Sequence, residues 1–454
     1  MVNEGFTDMG EAGVPAAFGD GERAPWRVYG TVASIGGGLV CVRGLGALAR
    51  MGDQVRIAVP GGAVQGEIVA LDGEDVRVLA EARVGGIAAG ARAELLRRSG
   101  LAPTRDWLGR IVDPDLKDER GAVLSMGPDL RALDAPPPDA ATRRRIGPRL
   151  PTGYAVLDTL LPLCRGQRIG VFAGPGVGKS SLMAGLARGV EADVVVAALI
   201  GERGKEVREF AEDALDPETR SRSIIVSATS DRSALARRRS ASIALTVAET
   251  FRDRGAHVLL LFDSLTRFAE AHREIALAAG EPPSLRAHPP SMAAELARLT
   301  ERAGPGPAGS TGDITAVFTV LAQGGDMDEP VADTARGLLD GHIVLSREIA
   351  ERGRFPAIDV RRSVSRSLPG CASAEENALI LDARRAIAAH EDVAPLVRLG
   401  AYRAGNDPAS DRAVRLAPAL DVFVGQGSAG IADSFGALKE ILAPSGAGEQ
   451  ERGR

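Results

Sequence analysis

The sequence predicts a multidomain α/β protein: an N-terminal β-barrel, a central parallel-sheet core built on a phosphate-binding loop (P-loop), and a C-terminal helical domain. Three observations predict it. At 454 residues the chain is too long for a single hydrophobic core. Its hydrophobic period changes twice, from alternation to strand-plus-helix units and then to a helical repeat. A glycine-rich stretch ending in Gly178-Lys179-Ser180 falls where one of those strands passes into a helix.

Residues 1 to 25 are rich in Gly, Ala and acidic side chains, cannot supply a core, and read as a flexible tail. Residues 26 to 97 carry short alternating runs, Val55, Ile57, Val59 and Val76, Val78, Ala80, punctuated by Pro60-Gly61-Gly62 and Asp72-Gly73. They form the expected barrel. Residues 98 to 370 form the expected nucleotide domain. Within it, Pro136-Pro137-Pro138 and Arg143-Arg144-Arg145 read as a linker with a solvated basic face. Candidate strands follow at Ile169–Phe172, Val194–Leu199, Ile224–Val226, Val258–Phe262 and Ala316–Val320, separated by longer helical stretches. Residues 371 to 454 form the helical domain, with Leu379, Ile380, Ala383 and Ile387 on one face and a Gly- and Glu-rich end.

Composition excludes several classes. The apolar fraction is 44% and the charged fraction 25%, as in ordinary globular chains, and no apolar run approaches the roughly 18 residues of a membrane span. The first residues lack the charged end and apolar run of a secretory signal. Cys41, Cys164 and Cys371 lie far apart with no CxxC spacing, so neither a disulfide framework nor a zinc site is expected. A cytoplasmic location fits. A net charge of −5 gives no general attraction to nucleic acid.

The chemistry centres on Ala173-Gly174-Pro175-Gly176-Val177-Gly178-Lys179-Ser180, with Ser181 following. Glycines let backbone N–H groups turn inward around an anion, and the next helix offers its positive N-terminal end. Lys179 supplies charge to the β- and γ-phosphates of ATP, and the Ser180 hydroxyl is the expected ligand of the accompanying Mg2+. Ala173 stands where such loops usually begin with glycine, a mild change at the strand exit. The apolar run His257–Phe262 ends in Asp263, the second expected magnesium ligand. Directly after Val194–Leu199 come Gly201-Glu202-Arg203, again at the edge where open α/β sheets bind nucleotides.

Gly-Glu-Arg at this place resembles the catalytic subunit of the rotary ATP synthase head and its homohexameric relatives, the flagellar and type III secretion export ATPases. RGQRIGVFAGPGVGKSSLM (165–183), LIGERGKEVREF (199–210), DSLTRFAEAHREIALAAGEPP (263–283), residues 332–370 and RLGAYRAGNDPASD (398–411) carry the likeness over nearly the whole chain. It implies a barrel, a RecA-like core and a helical domain, matching the segmentation. It also implies that Glu202 polarises the attacking water, that Arg203 contacts the γ-phosphate, and that Arg366 is an arginine finger reaching into a neighbouring subunit. Phe355 resembles the aromatic that stacks on adenine, and Phe423 is a second candidate; either also reads as ordinary core.

Glu202, Lys179 and Arg366 on one chain favour a homohexamer. GAYRAGNDPASD stands where a rotary catalytic subunit carries an acidic run, so rotary synthesis is the poorer reading. The favoured activity is Mg-ATP hydrolysis energising flagellar export, with the virulence-type system as alternative. By resemblance the partners are a regulatory, stator-like subunit, the export gate and chaperone–cargo complexes, with only peripheral membrane association. An RNA-translocating helicase shares the core, but residues 26 to 97 hold only Trp26 and Tyr29 as aromatics and no basic platform. A docking scaffold with incidental activity is the remaining class. Ala287-His288-Pro289-Pro290 departs from the Gly-Tyr-Pro-Pro of relatives, and His288 reads as a loop residue rather than a metal ligand.

Overall fold

Strands whose side chains alternate between two faces must bury one of them, and at the N-terminus they do so by closing on themselves. A computed structural model describes residues 27–82, 84–96, 100–322, 326–405 and 407–443, so the expected tail at 1 to 25 lies outside the described residues. Strands β1 (Val28–Gly36), β2 (Leu39–Arg43), β3 (Gln54–Val59), β4 (Gly62–Asp72), β5 (Asp75–Ala80) and β6 (Arg92–Leu96) form a closed antiparallel barrel in the order β1-β2-β5-β4-β3-β6. Val55, Ile57, Val76 and Val78 fill its interior, and Arg77 between the last two is exposed. The alternation read from sequence is therefore the barrel's inside and outside.

The core then unfolds in chain order as β7 (Ile111–Val112), α1 (Ala155–Asp158), β8 (Arg168–Ala173), α2 (Lys179–Gly189), β9 (Val194–Ile200), α3 (Gly204–Glu209), α4 (Pro217–Ser221) and β10 (Ser223–Ala228). It continues through α5 (Ala234–Asp253), β11 (His257–Asp263), α6 (Leu265–Ala279), α7 (Met292–Glu301), β12 (Gly304–Pro305) and β13 (Asp313–Leu321). It closes with α8 (Pro330–Leu338), β14 (Gly341–Leu345), α9 (Arg347–Glu351) and β15 (Ile358–Ser365). Among the described residues the sheet has the order β15-β14-β8-β13-β11-β9-β10-β7, with β12 paired beside β13. The strands from β14 to β7 are parallel neighbours, and β15 and β12 run antiparallel to theirs. Every residue of β9, β10 and β11 is buried, as a parallel sheet covered on both faces requires.

All five strands expected from the sequence are present as β8, β9, β10, β11 and β13. The arginine run is a correction. Arg143 Nη1 donates to the Ala303 carbonyl at 3.1 Å, and Arg144 Nη2 donates to Asp313 at 2.6 Å and to the Gly312 carbonyl at 2.7 Å. Two of the three side chains therefore stitch the connecting segment to the core, because backbone carbonyls near β12 and β13 offer acceptors that a charge run does not reveal.

The barrel is fastened to the core by Val69, Leu235 and Ile275 in one apolar cluster, with Glu67 paired to Arg238 and Glu81 to Arg239 on α5. Helices α10 (Ala374–Arg398), α11 (Pro408–Gly425) and α12 (Ile431–Leu442) complete the chain. A capping box between Ser373 and Glu376 starts α10. Ile380 and Ala383 join Leu420, Phe423 and Leu438 in the cluster that also holds Val171 and Leu186 beside the P-loop. Among the described residues no helix is long and apolar enough to cross a membrane.

Candidate functional site

The parallel strands all point their C-terminal ends the same way, so the turns that leave them converge on one edge. Ala173 is the last residue of β8 and is buried, so its methyl is part of the strand's packing. Gly176 and Gly178 adopt φ of +75° and +91°, a left-handed conformation that glycine enters without strain. A Cβ built at Gly176 meets nothing within 4 Å, which leaves open space over the loop. Gly178 caps α2 without a side-chain bond. The first N–H groups of α2, at Lys179, Ser180 and Ser181, are the ones a bound phosphate can satisfy.

Beneath the loop lies a partly buried charge cluster. Lys179 Nζ donates to Asp263 Oδ1 at 2.5 Å and to Glu202 Oε1 at 3.5 Å. Thr319 Oγ1 on β13 donates to the same Asp263 oxygen at 2.6 Å. The register explains the meeting: Asp263 pairs with Leu199 across β11 and β9, and β13 separates β11 from β8. Burial pushes the Glu202 carboxyl up to about 7, helped by a hydrogen bond with Glu206 and the negative charge of Asp263 and opposed by Lys179. A carboxyl held there is a far stronger base than an ordinary glutamate.

Ser180 and Asp263 offer a hydroxyl and a carboxylate, hard oxygen donors of the kind magnesium takes. Among the described residues no cluster of three His, Cys, Asp or Glu forms a metal cage. Magnesium held chiefly by nucleotide phosphates needs only one or two protein oxygens, so the donor set fits.

Arg203 is exposed at the N-cap of α3, and no hydrogen bond or ion pair joins its side chain to the cluster among the described residues. Sequence reasoning missed Arg267 in the first turn of α6. A Cβ at Gly201 would lie 3.1 Å from its stem, and the carboxylates of Glu202 and Asp263 both act on its guanidinium. Arg267 Nη1 donates to Glu270 at 2.9 Å, while its buried Nε has no hydrogen-bond partner among the described residues. Its position four residues after Asp263, across the Ser264 cap, was the available signal.

The two aromatic candidates separate. Phe355 is 53% exposed, and a Cβ at Gly178 would sit 3.3 Å from its ring. It therefore stands at the P-loop with a free face. Phe423 is 1% exposed and lies in the core cluster shared by α11 and α12, so it has no face to offer a base. The nucleotide-binding expectation for Phe423 is corrected to core.

Arg366 lies at the other end of the same element. Along β15, Ile358 pairs with Leu345, which pairs with Ala173 at the P-loop; Ser365 pairs with Gly341, at the far end of β14. The Arg366 N–H donates to the Asp340 carbonyl at 3.0 Å, and Asp340 in turn accepts from Arg168 at the start of β8. The length of β8, roughly 17 Å at about 3.3 Å per residue, separates Arg366 from its own P-loop. Its exposed guanidinium donates to the Arg336 carbonyl at 3.1 Å.

Comparison with known proteins agrees with this layout. Residues 153–365 match the model of the ATP synthase alpha/beta family, nucleotide-binding domain, and residues 372–440 match the T3SS EscN ATPase C-terminal domain. The chain is 45% identical over 428 residues to the flagellum-specific ATP synthase of Caulobacter vibrioides, covering 92% of this chain and 96% of that one. It is 45% identical over 392 residues to the type 3 secretion system ATPase of Pseudomonas syringae pv. tomato, covering 83% and 85%. The assembled ATPase EscN from enteropathogenic E. coli, solved in complex with its central stalk EscO, superposes with a TM-score of 0.81 at 37% identity over 91% of this chain and all of that one. The barrel, parallel-sheet core, P-loop cluster and helical end thus come together in one assignment: the chain belongs to the family of flagellum-specific ATP synthases and type III secretion ATPases.

Proposed function

We propose that the chain is a P-loop ATPase that hydrolyses Mg-ATP at sites shared between identical subunits and so energises protein export through the flagellar type III apparatus. The observation that carries the shared site is β15, which puts Phe355 beside the chain's own P-loop and Arg366 beyond reach of it. A subunit then supplies one half of its own site and one half of its neighbour's. A closed ring satisfies every such half, and a homohexamer is the ring proposed.

In this reading the backbone of Gly174, Pro175, Gly176, Val177 and Gly178 wraps the phosphates, and Ser181 extends the row of N–H donors. Lys179 turns from Asp263 to the β/γ oxygens. Glu202 accepts a hydrogen bond from the attacking water and takes its proton. Arg203 and Arg267 face the γ-phosphate, and Arg366 from the adjacent subunit meets the charge that builds up as the bond breaks. Ser180 and Asp263 would hold magnesium, which would supply positive charge against the phosphates. Phe355 stacks on the adenine.

The division into 26–97, 98–370 and 371–454 is the working domain map. The flagellar setting follows the flagellum-specific relatives, which match this chain almost end to end. The proposed location is the cytoplasm, peripheral to the membrane at the export apparatus. The proposed partners are a stator-like regulator, the export gate and chaperone–cargo complexes. ATP hydrolysis measured against protein concentration tests the shared site. Specific activity that rises steeply with concentration is expected, and equal activity in a dilute, monomeric sample contradicts it.

A further inference from the structure

Cys164 and Cys371, remote in sequence, meet in the fold. Cys164 lies in the turn into β8 and is 0% exposed, whereas Cys371 lies between β15 and the Ser373 cap of α10 and is half-buried. Both line a cavity of about 520 Å³ whose walls include Arg143, Arg144, Arg145 and Arg168. The two thiols share this wall and lie close enough for each to act on the other's titration.

Arg149 completes the arrangement. Its Nη2 donates to Glu376 at 2.6 Å and its guanidinium lies 4.9 Å from the Phe435 ring centre, while its buried Nε and Nη1 have no hydrogen-bond partner among the described residues, and its positive charge acts on both sulfurs. The Cys164 contact and Arg149 hold the Cys371 thiol down at about 7, whereas the contact and burial push Cys164 far up. One sulfur is thus a ready nucleophile facing an open cavity, and the other is a partner waiting behind it.

We propose that Cys164 and Cys371 form a reversible disulfide, with a small peroxide entering the cavity as oxidant. The Cys371 thiolate attacks one peroxide oxygen; the O–O bond breaks, and the leaving hydroxide takes a proton to become water. The resulting Cys371 sulfenic acid is attacked by the Cys164 sulfur as that thiol gives up its proton; the S–O bond breaks and a second water leaves. Two thiols have lost two electrons and the peroxide has gained them. The bond ties the segment behind Arg366 to the turn that feeds the P-loop strand. Oxidation therefore lowers turnover by holding the finger back. This coupling rests on the trans role of Arg366, whereas the bond itself does not, so the two fail separately.

The test treats the reduced full-length protein with hydrogen peroxide, caps free thiols with a maleimide, and maps peptides without reduction. The expected product joins the Cys164 and Cys371 peptides within one chain, leaves Cys41 capped, and returns two thiols on reduction. Cys371→Ser abolishes it and Cys41→Ser does not. Turnover is expected to fall several-fold on oxidation in the wild type, to recover on reduction, and to be unmoved by peroxide in Cys371→Ser. Recovery of Cys371 as a sulfinic acid with Cys164 still free, or joined peptides containing Cys41, overturns the site. A Cys164–Cys371 bond that leaves turnover unchanged overturns its coupling to Arg366.

Discussion

The two ends of β15 differ in what they find within their own chain. At the P-loop end, Phe355 lies beside Gly178, and Lys179, Glu202 and Asp263 are already drawn into one partly buried cluster. At the other end, Arg366 is exposed and its guanidinium donates to a backbone carbonyl. Burial makes the first end sensitive to every charge around it. Exposure makes the second end cheap to keep and free to engage a neighbour. In the proposed reading the difference means that catalysis is split, with binding built into the subunit and transition-state stabilisation deferred to the contact between subunits.

The contrast can be broken from either side. Arg366→Ala is expected to lower kcat about 10³- to 10⁵-fold while leaving nucleotide affinity of the isolated subunit unchanged. Single-turnover hydrolysis and a nucleotide-binding titration check this together, and a large loss of affinity in the monomer would place Arg366 in its own site. Glu202→Gln is expected to cost about 10²- to 10⁴-fold in kcat with binding retained, the range for loss of a positioned base.

Phe423→Ala and Phe355→Ala separate core from site. The first is expected to destabilise the chain by about 3–5 kcal/mol, read by denaturant unfolding, because it empties a closed core position. The second is expected to leave stability nearly unchanged and to weaken ATP binding by about 0.5–1.5 kcal/mol, the worth of a stacked ring beyond burial. Reversed outcomes would restore Phe423 as the adenine contact.

The smallest expected effect is on pH. As the proposed base Glu202 acts only when ionised, and its carboxyl is pushed up to about 7, so kcat/KM should climb with pH and level off above that value. Glu206→Ala removes a hydrogen bond and a negative charge that both push Glu202 upward, so the acid limb of the profile should move to lower pH. A limb that stays in place would mean that Glu206 does not touch the working base.

What sequence revealed and what it hid divide along physical lines. The P-loop was legible because its glycines answer a backbone requirement that recurs wherever a phosphate is wrapped. β9 and β11 were legible because strands buried on both faces are uninterrupted apolar runs. β15 was not, since an edge strand reading Ile-Asp-Val-Arg-Arg-Ser-Val-Ser shows only a broken alternation. Arg267 escaped because its place beside Glu202 depends on how β9 and α6 converge. Arg143 and Arg144 looked like solvated charge because their acceptors are carbonyls far along the chain. Cys164 and Cys371 looked unrelated for the same reason.

The central claim is that one subunit's Glu202 works with another's Arg366. Its most direct test mixes inactive Glu202→Gln with inactive Arg366→Ala in equal amounts under assembling conditions and measures ATP hydrolysis. The account predicts that activity returns, from the sites in which an intact Glu202 faces a neighbour's intact Arg366. A mixture as inactive as its components, in rings shown to contain both chains, would contradict it.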